Sequence, residues 1–462
     1  MTKSKPNRPL SRALRILFFL AANSSAFASA TPDDTAKVLA GLPPASGSPL
    51  EPLTVDAPYK AQTAMFAEMW RRFEDRQLSH VRTWADRELP AVRQQSPVLY
   101  YTFSGPDIVY ANTFFPDCKT YVMCGLEPVG HAPDLLEVPQ GRLADSLHRL
   151  YGSLDTVLAL GFFKTKDMGA DFRNPELPGI TPVLMTFLAR LGKNVRSVDL
   201  VAVDRDGNES PRAASDDSGD NATPGVKITF DSGAGTPGQT VYYFSTNISN
   251  EGVEKNPGFA NFCRKLEPGA GLVKAASYLL HTSPFSATRD FLMERCKFIL
   301  QDDTGIPATV YSEGKWEMHP YGRYVRPIEM FRGYYQKKLA DVHSAVAEPL
   351  DFGIGYYYRI ADCNMLLASR DENSVVVAVA PPTPPPAAPV AAAPSFPTPA
   401  PAVAAVMASN DAVSGSPRKT LVELEDEELQ IRNNESLTKK ERMQKLREIW
   451  KQQLAVMGKK AA

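Results

Sequence analysis

Residues 98–130 read VLYYTFSGPDIVYANTFFPDCKTYVMCGLEPVG. Val98 to Tyr101 is a short run of large apolar residues closed by the polar turn after Thr102, which predicts a buried strand. Pro106 and Asp107 then fit the first turn of a short helix, where proline loses no hydrogen bond and a carboxylate complements the helix dipole. A second strand, bracketed by Cys118 and Cys124, leads into Glu127-Pro128. Strand, helix and strand form one βαβ unit. With the two strands as parallel neighbours, Ser104, Asp107 and Glu127 emerge at one edge of the sheet, the edge at which open α/β sheets hold their ligands.

The outline recurs further along. Ala276 to Leu280 reads as a strand entering the turn His281 to Pro284, although so short an apolar run also fits a helix. Ser286 then caps a helix containing Phe291, Leu292 and Cys296, and Lys297 to Gln301 forms the next strand, ending in Asp302-Asp303. Val195 to Asp204 is a further strand, while Val226 to Phe230 and Thr240 to Ser245 flank a Gly-rich connection and read as a hairpin, so the sheet is mixed. Leu143 to Leu160 and Pro182 to Leu191 are amphipathic helices. From Lys60 to Leu89, Met65, Met69, Phe73, Val81 and Trp84 recur at helical spacing until Pro90, giving an N-terminal packing helix. The expected fold is α/β, a single Rossmann-like core with a mixed sheet over residues 59–372.

Both ends differ from this core. A basic run (Lys3, Lys5, Arg8, Arg12, Arg15), an apolar stretch from Ile16 to Ala22 and small residues at Ala26, Ala28 and Ala30 form a signal peptide over residues 1–30. The apolar stretch falls well short of the ~20 residues of a membrane span, so the expectation is Sec-type export to the periplasm or beyond, with no transmembrane segment after cleavage. Residues 31–58, rich in Pro, Gly and Ser, are expected to be a disordered lead. Residues 373–416 form a Pro/Ala-rich linker, centred on Val379 to Val406 and favouring polyproline conformation.

Residues 417–462 begin with an acidic cluster from Glu423 to Glu428 and continue as a charged amphipathic helix. Thr438 and Glu441 suit a capping box, and Met443, Leu446, Trp450, Leu454 and Met457 make one apolar stripe. A helix of this length needs a surface to fold against, which favours a protein partner or docking on its own core, with self-association as a short coiled coil the third reading. Interspersed acids argue against a membrane-surface role.

The chain has 51 Lys and Arg against 52 Asp and Glu, with the basic residues scattered outside the signal, so nucleic-acid binding has no electrostatic support. Five cysteines, an odd number, suit an exported chain only with at least one free thiol. Cys118 and Cys124 bracket one strand and stand about 20 Å apart, beyond disulfide reach. Buried apolar roles suit most of the five.

The edge residues allow several chemistries. Glu127 follows Gly105 at roughly the spacing of a ribose-binding acid, yet only one glycine is present and Asp107 at the helix start repels a pyrophosphate, which disfavours NAD and FAD. The outline also resembles the first two strands of Rossmann-like methyltransferases, whose S-adenosylmethionine an exported protein scarcely meets; no cofactor is expected. A hydrolase would use Ser104 as nucleophile, His131 or His281 as base, and Asp302 or Asp303 to orient it, without the G-x-S-x-G elbow. A metal site would combine Glu127, His131, Asp302 and Asp303, although no HExxH or CxxC motif supports it. Asp204 to Glu209 looks calcium-like but lacks EF-hand spacing, and a turn between strands accounts for it better. The candidate pocket is therefore Ser104, Asp107, Glu127, His131, Asp302 and Asp303.

Ser104-Gly-Pro-Asp107, Phe115-Pro116-Asp117, Tyr121, Gly125-Leu-Glu-Pro128, Tyr242-Tyr-Phe-Ser245, Asn256-Pro-Gly-Phe259, Ser277-Tyr-Leu, Gln301-Asp-Asp303, Gly305-Ile-Pro307 and Phe352-Gly-Ile-Gly355 together resemble a family of exported bacterial proteins of unknown function. The resemblance runs from about Phe66 to Arg370 and implies one continuous core and an envelope location, with no activity attached. Two functions follow as expectations: an exported binding or scaffold protein with a polar pocket at the sheet edge, and an envelope hydrolase working at Ser104, Glu127 and Asp302.

Overall fold

A computed structural model describes residues 29–139, 141–160, 174–213, 222–231, 238–312, 314–345, 348–356 and 363–370, with single positions at 427, 441, 445 and 448. Residues 1–28 of the expected signal peptide, the whole of the expected linker and all but those four positions of the expected tail helix lie outside them. Ten strands form one mixed sheet: β1 (Val98–Tyr101), β2 (Thr120–Gly125), β3 (Asn194–Asp204), β4 (Glu209–Pro211), β5 (Ala222–Asp231), β6 (Gln239–Ser245), β7 (Gly269–Val273), β8 (Cys296–Gln301), β9 (Trp316–Gly322) and β10 (Asn364–Arg370). Their order is β4-β3-β5-β6-β2-β1-β7-β8-β10-β9.

The central strands β6, β2, β1, β7 and β8 are all parallel, and antiparallel strands extend the sheet at both ends. From β1 the chain builds outward through β2 to β6, then returns to the other side of β1 and builds outward through β7 to β8. The opening βαβ unit is as expected. Val98 pairs with Thr120 and Tyr101 with Met123, and the helix Ile108–Phe114 connects the strands. The β5–β6 hairpin is likewise antiparallel.

Alternation along the strands fills both faces of the sheet. Leu99, Tyr101, Tyr121 and Met123 join one core, with the helices Ala57–Phe73, Arg142–Leu160 and Thr181–Arg190 over it. Val98, Tyr100, Val122 and Cys124 join the other, under the helices Gly258–Lys265 and Ser286–Arg295. A strand covered on both sides must be apolar throughout, which is why Val98 to Tyr101 reads as an unbroken run.

Three sequence expectations need correction. The lead over residues 31–58 contains the helix Pro32–Leu39, with Ala36, Val38 and Leu39 fully buried. Thr31 caps it by accepting from the Asp34 amide at 3.1 Å, and Asp33 accepts from the Val195 amide at the start of β3. Its apolar set is too short to announce a helix; the tertiary surface completes it. The long N-terminal helix carries a π turn at Glu74–Leu78 and ends at Glu88 before Pro90, as expected, with Pro90 opening a separate short helix. Met65 faces solvent, while Phe66 stacks on Tyr151 at 4.1 Å.

The third correction concerns β7, which is Gly269–Val273 and not Ala276 to Leu280. A Cβ at Gly269 would stand 1.9 Å from the Val98 carbonyl oxygen, so the close approach of β7 to β1 demands glycine and removes the side chains that mark a strand. Ser286 is the first helical residue and not a cap. Asn250 does the capping, accepting from the Ala287 amide and donating to the Ser286 hydroxyl, each at 2.9 Å. All five cysteines are free and buried. No helix among the described residues is long and apolar enough to cross a membrane.

Candidate functional site

Because β1, β2, β7 and β8 run parallel, their carboxyl ends share one edge, and the loops there converge on a buried charge cluster. Asp107 follows β1 and caps the helix Ile108–Phe114, accepting from the Tyr110 amide at 3.2 Å. Its second oxygen receives the Tyr101 hydroxyl at 2.9 Å and the Lys274 ammonium at 2.8 Å. Lys274, the first residue after β7, also lies 4.1 Å from the centre of the Tyr110 ring. Burial pushes the Asp107 carboxyl above its ordinary range, although Lys274 and the hydrogen bonds pull it down.

Asp302 and Asp303 close β8. Asp302 accepts from the Ala275 and Thr304 amides, both at 2.9 Å, and from the Thr304 hydroxyl, whose oxygen in turn accepts from the Ala276 amide. Asp303 accepts from the Tyr278 hydroxyl and from Asn364. Burial raises both carboxyls, and Asp302 adds to the rise at Asp303, which reaches about 7. The strand ends thus hold three buried carboxyl groups around one lysine, and the Asp302–Asp303 pair keeps a proton up to neutral pH.

The segment that bridges these carboxyls is under strain. Ala275, Ser277 and Tyr278 all have φ between 52° and 57°, the left-handed region, and none is glycine. Each costs of order 1–2 kcal/mol, which the surrounding bonds must offset. The Tyr356 hydroxyl donates to the Ala275 carbonyl at 3.0 Å, so the Ser277 hydroxyl, 2.6 Å from Tyr356, is the donor in their contact. Ser277 and Tyr356 are half-buried. Behind them the Tyr278 ring stacks on Tyr334 at 5.0 Å and meets His281 and Phe331. Burial lowers His281 to about 4, so its imidazole is neutral at physiological pH.

The six candidates from the sequence separate clearly. Asp107 meets Lys274, whose charge also acts on Asp302, and Asp303 adjoins Asp302, so these three share the cluster. Ser104 is buried with its hydroxyl committed twice, accepting from the Cys124 amide and donating to the Cys124 carbonyl, both at 3.2 Å; it ties the β1 loop to β2. Glu127 is buried at the end of β2 and accepts from the Tyr243 hydroxyl at 2.8 Å. His131 is exposed and lies against the carbonyl of Ala132. The hydrolase geometry, Ser104 with His131 or His281 as base, is not assembled. Among the described residues no group of three or more His, Cys, Asp or Glu is placed to hold a metal ion. Asp204 accepts from the Asp206 and Asn208 amides and closes a turn between β3 and β4.

Sequence reasoning missed Lys274, Tyr101, Ser277, Tyr278, Tyr356 and Asn364. The available signal was Lys274 itself, a single charge inside the apolar run from Leu272 to Ala276. Among the groups named above, carboxyls outnumber cations at this edge three to one, with Asp107, Asp302 and Asp303 around Lys274. A scan against protein-family models, a search of the curated proteins and a search of the solved structures each find no match for this chain.

Proposed function

We propose that the chain is an exported binding protein whose Rossmann-like core takes a small, polar, uncharged ligand at the carboxyl edge of its parallel strands. The order β6-β2-β1-β7-β8 supports the Rossmann-like description, since it is the 3-2-1-4-5 winding of that architecture with β1 and β7 at its switch point. The basic, apolar and small-residue succession at residues 1–30 supports export.

One observation carries the binding reading: the left-handed run Ala275, Ser277 and Tyr278 at the end of β7. Strain of this kind persists where the fold holds a segment in place for use, and here it presents the Ser277 hydroxyl beside Tyr356 at the switch point. Thermal melting of the chain against a panel of monosaccharides, polyols and small neutral amides, with hydroxy acids as a charged control, tests the reading. One uncharged class should raise the melting temperature, and Ser277→Ala and Tyr356→Phe should each abolish the rise, read against each variant's own unliganded melting, which for Tyr356→Phe falls with the lost bond to the Ala275 carbonyl. No response to any class, or a response indifferent to both variants, would overturn it.

A further inference from the structure

Residues 323–338, between β9 and the helix Lys337–Ala345 into which they run, read RYVRPIEMFRGYYQKK. Five basic residues (Arg323, Arg326, Arg332, Lys337 and Lys338) stand against one acid, Glu329. Val325, Met330 and Tyr335 are exposed between them, three of the seven large apolar side chains that face solvent among the described residues. The ion pairs Arg332–Glu329 at 3.2 Å and Lys337–Asp341 at 2.9 Å lie in open solvent, and the strip stays basic overall. A patch both apolar and single-signed on one short segment marks an interaction surface.

The same chain carries the complement. Residues 421–430 read LVELEDEELQ, five acids and no base interleaved with Leu421, Val422, Leu424 and Leu429. Acid meets base and aliphatic meets aromatic in both segments. Ten residues cannot hold structure alone and need a surface to order against.

The tether permits the contact. β10 ends at Arg370, which pairs with Trp316 at the start of β9, and the strip begins just past the other end of β9 at Gly322. That separation is about 20 Å along the strand. Residues 371–420 join the two segments, and at about 3 Å per residue in polyproline conformation their contour is several times that span. Tethering then replaces a bimolecular encounter with an intramolecular one.

We propose that residues 421–430 dock in cis on the basic aromatic strip 323–338. Phe331 and Tyr334 of that strip pack on Tyr278.

Carbodiimide cross-linking of the full chain, prepared as an equal mixture of unlabelled and 15N-labelled protein, tests this by mass spectrometry. The expected products join Lys337 or Lys338 to a carboxyl among Glu423 to Glu428 within one isotopic copy. Their yield should fall at least tenfold in the variant Arg323→Gln, Arg326→Gln, Arg332→Gln, and also in native protein at 0.5 M sodium chloride, which serves should the variant not fold. Products joining labelled to unlabelled copies would assign the strip to a second molecule and overturn the proposal. Equal coupling of the acidic segment to Lys119 or Lys297, or yields unmoved by both the variant and salt, would overturn it too.

Discussion

The Lys274 ammonium lies 2.8 Å from Oδ2 of Asp107, with the two side chains 2% and 1% exposed. A pair so completely removed from water is costly to break, because losing the lysine leaves the Asp107 carboxyl buried without its cation. Lys274→Met is expected to cost about 3–5 kcal/mol, while the double variant Lys274→Met, Asp107→Asn costs clearly less than the sum of the two single changes. Urea unfolding of the four proteins checks this. Additive costs would show that the two groups do not depend on each other.

Asp303 makes stability depend on pH in a defined window. Burial, reinforced by Asp302, lifts its carboxyl from the ordinary 3.8 to about 7, so the folded chain keeps a proton that the unfolded chain releases. The contribution is fully present below about pH 4 and is lost as pH rises through about 7. Asp303→Asn is expected to flatten the fall in stability over that range relative to the native chain. Parallel pH profiles for the two proteins would contradict the assignment.

Ser104 is expected to matter to folding and not to ligand chemistry. Ser104→Ala removes the partner of the buried Cys124 amide and carbonyl and should destabilise by roughly 1–3 kcal/mol. Chemical denaturation measures that loss. Ligand-induced stabilisation should survive in the variant at temperatures where it is folded.

Gly355 is fixed by the same cluster. Its φ is +62°, and a Cβ there would stand 2.0 Å from Oδ2 of Asp302. Left-handed strain and overpacking together should make Gly355→Ala cost about 3 kcal/mol. A loss of less than about 1 kcal/mol in thermal or urea unfolding would mean that Asp302 is free to move.

Much of this edge was legible from residues 98–130, because a βαβ unit is local and its turn residues are chemically distinctive. Asp107 was placed within one residue of its true role: it is the cap before the helix and not a residue of its first turn. The partner on β7 was not legible. Gly269 and Gly271 carry no side chains to mark a strand, and the pairing of Lys274 with Asp107 spans a sequence separation that no local pattern encodes. The partners that occupy Ser104 and Glu127, the Cys124 backbone and Tyr243, come from neighbouring strands and leave no local pattern. The left-handed run at Ala275, Ser277 and Tyr278 had no signal at all, since none of the three residue types favours that conformation.

The central claim is that strain at the end of β7 is held for binding, and the change Ser277→Gly tests it most directly. Glycine adopts the left-handed conformation freely but lacks the hydroxyl, so relief of about 1–2 kcal/mol of strain is offset by ~0.5–1 kcal/mol of added chain entropy and by about 1 kcal/mol for the lost bond to Tyr356. Thermal melting of this variant, with and without the compound class that stabilises the native chain, is expected to show unliganded stability within about 1 kcal/mol of native and no ligand-induced shift. A variant that melts lower than native yet keeps the full ligand-induced shift would contradict the account.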